Sequence, residues 1–140
     1  MKKVYSILSA VLFLTSIISC TGKRSENSST VAIGNASVNV YYFHFTRRCS
    51  TCLAVEENAR KALEALYPNE VKTGEYSFTS LNLDDANTKE IADRLGIGGQ
   101  SLVVVRESKK IDITGAAWLV AHDPEKMKDE IKSGIEKVLF

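Results

Sequence analysis

The sequence predicts an α/β domain whose elements run β-α-β-α-β-β-α, on three observations. Residues 38–45, VNVYYFHF, are β-branched and aromatic and almost continuously apolar, the pattern of a central strand covered on both faces. From Cys52 to Tyr67 the period changes: Cys52, Val55, Ala59, Ala62, Leu63 and Leu66 recur at helical spacing, with Glu56, Glu57, Arg60, Lys61 and Glu64 falling elsewhere. After GIGGQ, the run SLVVVRE reads as a second buried strand, and a turn around Ser108 and Lys109 leads into a short strand, KIDIT, that ends before Gly115. Those last two strands are expected to pair as an antiparallel hairpin.

The elements follow in order. Lys2 and Lys3 precede an uncharged apolar run, 4–18, that closes on Ile17-Ile18-Ser19-Cys20. This is the build of an export signal, and the run is shorter than the roughly 20 residues that span a bilayer as a helix. Its end resembles a bacterial lipobox, which makes residues 1–19 a cleaved lipoprotein signal peptide and Cys20 a lipidation site. Residues 20–36, rich in Ser, Asn, Thr and Gly, read as the lipidated N-terminus and a flexible tether. The expected location is the bacterial cell envelope, on the periplasmic side, with the lipid holding the domain at a membrane.

Residues 37–140 form the domain. Pro68 and Asn69 read as the stop of the first helix, and 76–83, YSFTSLNL, alternates like a strand. Asn87 with Glu90 reads as a capping box for a helix carrying Ile91, Ala92 and Leu95 and closed at Gly96. Asp123-Pro124, an N-cap before a first-turn proline, opens a last helix with Met127, Ile131, Ile135 and Val138 on one face. The chain carries 18 basic and 17 acidic side chains with no basic stripe, so nucleic acid is excluded as a partner class.

The chemistry concentrates in RRCSTC. With Cys20 acylated, Cys49 and Cys52 are what remains of three cysteines, and they stand two residues apart where the first strand turns into the first helix. Backbone N–H groups and the macrodipole at a helix N-terminus favour negative charge. Cys49 is therefore expected to be the more acidic thiol, and Cys52, one turn in, the sheltered one. Arg47 and Arg48 add two cations beside it, surroundings in which cysteine pKa values fall to about 3.5–7.5. Three readings stay open: a redox dithiol, a soft-metal or metalloid chelate, and a static disulfide. Zinc takes four ligands, against which the chain offers Cys49, Cys52, His44 and His122 and no second C-x-x-C, so no metal is assigned. His44, on the strand face of Tyr42 and Val40, is a candidate for tuning the Cys49 thiolate. Nothing resembles G-x-G-x-x-G or another phosphate loop, and no cofactor is expected.

The whole pattern, strand, C-x-x-C at a helix start, a strand ending in Leu81-Asn82-Leu83-Asp84, a helix ending in LGI, strand, hairpin, glycine and C-terminal helix, resembles the thioredoxin-like superfamily over roughly residues 37–140. Within it, YYFHFTRRCSTCLAVE is similar to the small thioredoxin-like lipoproteins of the ArsF family, also called nitrophenyl compound nitroreductase subunits. The resemblance implies a three-layer fold with a mixed central sheet flanked by helices, with Cys49 as attacking thiolate and Cys52 as resolving cysteine. Departures from the superfamily are Arg48 in place of Trp, Ser50-Thr51 in place of Gly-Pro, and Phe43 where a buried acid stands six residues before the first cysteine. The superfamily's cis-proline falls near Gln100 and Ser101, yet the only prolines are Pro68 and Pro124. Gly99, Gln100 and Ser101 are then expected to face the dithiol, with Gly98 and Gly99 either a flexible lip or a turn feeding the strand. The expected function is membrane-tethered thiol–disulfide exchange with a protein thiol or disulfide partner, an oxidoreductase activity; the sequence assigns no oligomeric state. Its rivals are a dithiol protein binding arsenite or Cu(I), and a non-catalytic subunit docking on a membrane redox complex, for which Trp118 is a candidate contact.

Overall fold

The computed structural model describes residues 36–140; the signal segment, Cys20 and the tether up to residue 35 lie outside the described residues. Strand β1 (Val38–His44) leads into α1 (Ser50–Leu66) and a short α2 (Pro68–Thr73), followed by β2 (Tyr76–Asn82) and α3 (Ala86–Leu95). The hairpin β3 (Ser101–Arg106) and β4 (Lys109–Asp112) comes next, then α4 (Thr114–Leu119) and α5 (Pro124–Leu139). The strands lie in the order β2-β1-β3-β4. β1 runs parallel to β2 and antiparallel to β3, and β3 pairs antiparallel with β4. This is a mixed sheet flanked by helices, the three-layer thioredoxin-like α/β fold.

The layering follows from a period of two along the strands. Val38, Val40 and Tyr42 of β1 and Leu102 and Val104 of β3 bury against Val55, Ala59 and Leu63 of α1 and Met127, Ile131 and Ile135 of α5. The alternate residues, Tyr41 and Phe43 with Val103 and Val105, bury on the opposite face against Ile91 and Ala92 of α3. Every residue of β1 is buried, as a central strand with helices on both sides requires. Each fully buried Val, Leu, Ile or Met contributes about 1.5–3 kcal/mol, so this double-sided strand anchors the domain. α5 reaches the sheet closely because residue 134 is glycine: a Cβ there would stand 3.0 Å from Val104 Cγ2 and 3.3 Å from Ile113 Cγ2.

α1 starts at Ser50 with Cys49 as its N-cap, in extended backbone at φ −84° and ψ 167°, which puts Cys52 in the first turn as expected. Several other boundaries differ from the sequence expectation, each for a local reason. Pro68, expected to end the chain's helical run, stands at the first position of a second helix, where its missing N–H costs nothing. α3 begins at Ala86 with Asp85 as N-cap, so Asn87 lies inside the first turn and caps nothing. Asn82 fixes that start: its carbonyl accepts from Asp85 N and its Oδ1 from Asp84 N, both at 3.1 Å. The hairpin turns at Glu107-Ser108, with Glu107 at φ 54°, which shifts β4 to 109–112. α4 was not expected; Thr114 opens it, its N–H donating to Asp112 Oδ1 at 2.9 Å and its Oγ1 accepting from Leu102 N at 3.0 Å. Asp123 caps α5 as expected, accepting from Lys126 N at 3.2 Å. Among the described residues, no helix is long and apolar enough to cross a membrane.

Candidate functional site

The loop 45–48 carries the chain from the C-terminal end of β1 to the N-terminus of α1, and the end of β2 with the two residues after it holds the junction in place. Leu83 N donates to His44 O at 2.7 Å, Thr46 N to Asp84 Oδ2 at 2.8 Å, and Asn82 Nδ2 to Thr46 Oγ1 at 2.9 Å. The Thr46 N–H beside Asp84 holds its carboxyl below the usual carboxylate range. A central strand feeding a helix through a short pinned loop presents whatever follows the loop at the edge of the sheet. Here that is Cys49.

Cys49 and Cys52 are joined as a disulfide, with Cα atoms 5.2 Å apart. Their surroundings differ. Cys49 is exposed and, as N-cap, its Sγ accepts from Cys52 N at 3.3 Å. An otherwise orphaned backbone donor therefore points at this sulfur. Cys52 is buried on the face of α1 that carries Val55 and Ala59. Its Sγ lies 3.9 Å from Gln100 Oε1. In the disulfide this sulfur has no proton to give, and after reduction the thiol can donate to that amide oxygen. The Cys52 carbonyl accepts from the Tyr42 hydroxyl at 2.8 Å. Burial pushes the Tyr42 phenol up to about 12, the Glu56 carboxylate pushing the same way and the Arg48 guanidinium opposing it. The phenol is thus a fixed donor.

The residues singled out in the sequence take the following places. His44 is buried at the end of β1, stacked on Tyr42 with ring centroids 5.6 Å apart, and its Nδ1–H donates to Phe45 O at 2.9 Å. Arg47 is exposed. Arg48 does not stand as an isolated cation, since its Nη1 donates to Glu56 Oε2 in an ion pair with both side chains about a quarter exposed. Gly99 and Gln100 are half-buried ahead of β3, and Ser101 is buried opposite Phe43, its Oγ donating to Gly99 O at 3.1 Å. Of this loop, the Gln100 side chain is what reaches the sulfur. Trp118 packs at 6.0 Å from the Tyr42 ring, beside Leu119, which is 88% exposed. His122 is exposed, and among the described residues no group of three or more His, Cys, Asp or Glu side chains gathers as a metal site.

Two residues that the sequence reading left aside belong to this site. Tyr42 reads as a core aromatic, yet its hydroxyl holds the Cys52 backbone. Glu56 falls among the solvent-side charges, although its position, seven residues beyond Cys49 and four beyond Cys52, places it on the dithiol's own stripe of α1; the i, i+3, i+7 spacing was the signal. On the α3 side of the loop a cleft of about 360 Å³ opens among Phe45, Leu83, Asp84, Lys89, Ile97 and Gly98, and neither cysteine lines it. No family model, no curated protein and no solved structure matches the chain. A C-x-x-C pair closed as a disulfide at the first helix of a thioredoxin-like fold supports thiol–disulfide chemistry, and that statement rests on the geometry alone.

Proposed function

We propose that the protein is a membrane-tethered thiol–disulfide oxidoreductase, its Cys49–Cys52 pair exchanging with a thiol or disulfide of an exported or membrane redox protein. The observation that carries this reading is the asymmetry of the pair. Cys49 is exposed at a helix N-cap with a backbone N–H on its sulfur, and Cys52 is buried behind it. The exposed thiolate attacks the partner's disulfide, and the buried thiol then attacks the Cys49 sulfur of the mixed disulfide, releasing the reduced partner and restoring the Cys49–Cys52 bond. Run backwards, a partner thiolate opens the bond at Cys49.

Attachment through a lipid on Cys20 is supported by the lipobox-like run IISC behind an uncharged leader. The motif YYFHFTRRCSTCLAVE supports kinship with the ArsF-type lipoproteins. On this reading the domain works within a tether's length of a bilayer, on the periplasmic side of the cell envelope, where disulfides persist.

The test is an equilibrium redox titration of the full chain in detergent across graded glutathione buffers, read by alkylation and mass spectrometry of the peptides holding Cys49 and Cys52. The expected result is one reversible two-electron transition. Thiols that stay in one state across the whole range overturn the exchange reading, and retention of a stoichiometric soft ion by the purified protein would replace it with chelation.

A further inference from the structure

The ion pair between Arg48 and Glu56 joins the cysteine loop to the helix that the loop feeds, and this sets it apart from the other pairs on α1. Arg60–Glu64 and Lys61–Glu57 are i, i+4 pairs with about half or more of each side chain exposed, where water screens them. Arg48 and Glu56 are 26% and 23% exposed and span the dithiol in sequence. Cys49 caps α1, and Cys52 and Glu56 stand four residues apart on it, so the pair ties the residue before the N-cap to the turn that follows Cys52. The Tyr42 hydroxyl, which holds the Cys52 carbonyl, feels the charges of both.

We infer that Glu56 is a positioning residue that sets the redox poise of the dithiol through Arg48, by engaging the guanidinium that would otherwise serve the Cys49 thiolate. The inference rests on the exchange reading above. Reduction puts charge where there was none. A partner thiolate attacks Cys49 Sγ, the Cys49–Cys52 bond breaks, and Cys52 leaves as a thiolate that takes up a proton. The partner's second thiolate then attacks the partner's first sulfur in the mixed disulfide, the partner's disulfide forms, and Cys49 leaves as a thiolate. The partner dithiol has lost two electrons and two protons; the protein holds both electrons and one proton, and the other proton goes to water. The new anion sits beside Arg48 in sequence, and every share of the guanidinium held by Glu56 is withheld from it. The direct repulsion of Glu56 on Cys49 is small, since seven residues along a helix is about 10 Å, about a Debye length at ordinary salt. The effect must therefore pass through Arg48.

The glutathione titration decides this with variants of the full chain. Glu56→Gln is expected to raise the equilibrium constant for reduction about tenfold, equal to about 30 mV toward the oxidising side for a two-electron couple. Arg48→Met is expected to move it the other way, and adding Glu56→Gln to Arg48→Met is expected to change nothing more. Glu57→Gln, the same charge change one residue along and paired with Lys61, controls for net charge and is expected to match wild type. The inference is overturned if Glu56→Gln titrates with wild type, if Glu57→Gln moves as far, or if Glu56→Gln shifts the transition as much in the Arg48→Met background. A wild-type protein with no transition brings down the exchange reading and this inference together, which separates that failure from the others. Urea unfolding of each variant verifies that a folded protein is being titrated; should Glu56→Gln unfold, Glu56→Ala with the same readout takes its place.

Discussion

Cys49 and Cys52 share a bond and a helical turn, and otherwise almost nothing. Cys49 is exposed, caps a helix and receives a backbone N–H, while Cys52 is buried, faces an amide oxygen and has its carbonyl held by a phenol. The difference teaches that position on a helix sorts the two thiols. The N-cap stabilises an anion by dipole and donor together, and one turn later both supports are gone.

The largest expected effect divides the pair. Cys49→Ser is expected to abolish exchange, and Cys52→Ser to leave a nucleophile with no resolving thiol, so that a mixed disulfide with the partner accumulates on Cys49 and is seen on non-reducing gels. The reverse outcome, trapping by Cys49→Ser, would exchange the roles. Next in size is alkylation of the reduced protein near neutral pH: iodoacetamide is expected to modify Cys49 about 100 times faster than Cys52, given an exposed, anion-stabilised thiol against a buried one. Equal rates would erase the comparison.

A third test reads the support of Cys52 through pH. The Tyr42 phenol ionises near 10 in the unfolded chain and near 12 in the folded one. Above pH 10 the unfolded state loses a proton that the native state keeps, so folding stability falls as pH climbs from 10 to 12, by about 2 kcal/mol over the window. Well below pH 10 this group contributes no slope. Tyr42→Phe is expected to cost about 1 kcal/mol at neutral pH for the lost hydrogen bond and to flatten the alkaline decline, as measured by urea midpoints at stepped pH. An unchanged decline in Tyr42→Phe would put the phenol's hydrogen bond in doubt. The smallest effect belongs to Gln100→Ala, which is expected to change the rate of resolution by Cys52 a few-fold and to leave Cys49 alkylation alone; a change in Cys49 alone would place the amide on the wrong sulfur.

The long elements were legible because burial imposes their period. β1 is apolar throughout since it is central, and α5 shows Met127, Ile131, Ile135 and Val138 at turn spacing since one face meets the sheet. α2 and α4 are six residues each, too short for a period to appear. Pro124 read as a helix opener with Asp123 before it, whereas Pro68 follows Tyr67, which caps nothing with its side chain. In the site, the exposed place of Cys49 and the sheltered one of Cys52 followed from the strand-to-helix junction, and Gln100 was expected near the sulfurs from the resemblance to the thioredoxin-like superfamily. The Arg48–Glu56 pair did not follow, because a charge on the solvent side of a helix shows no partner until the preceding loop is placed beside it.

The outer strand beside β3 has a bearing on crowding. β4 is four residues long and, reading KKID, leaves Lys109, Lys110 and Asp112 exposed. A short, charged edge gives a neighbouring copy few hydrogen bonds to extend and sets like charges against each other, so it resists edge-to-edge aggregation. Crowded molecules meeting at this edge would thus touch without zipping into a shared sheet.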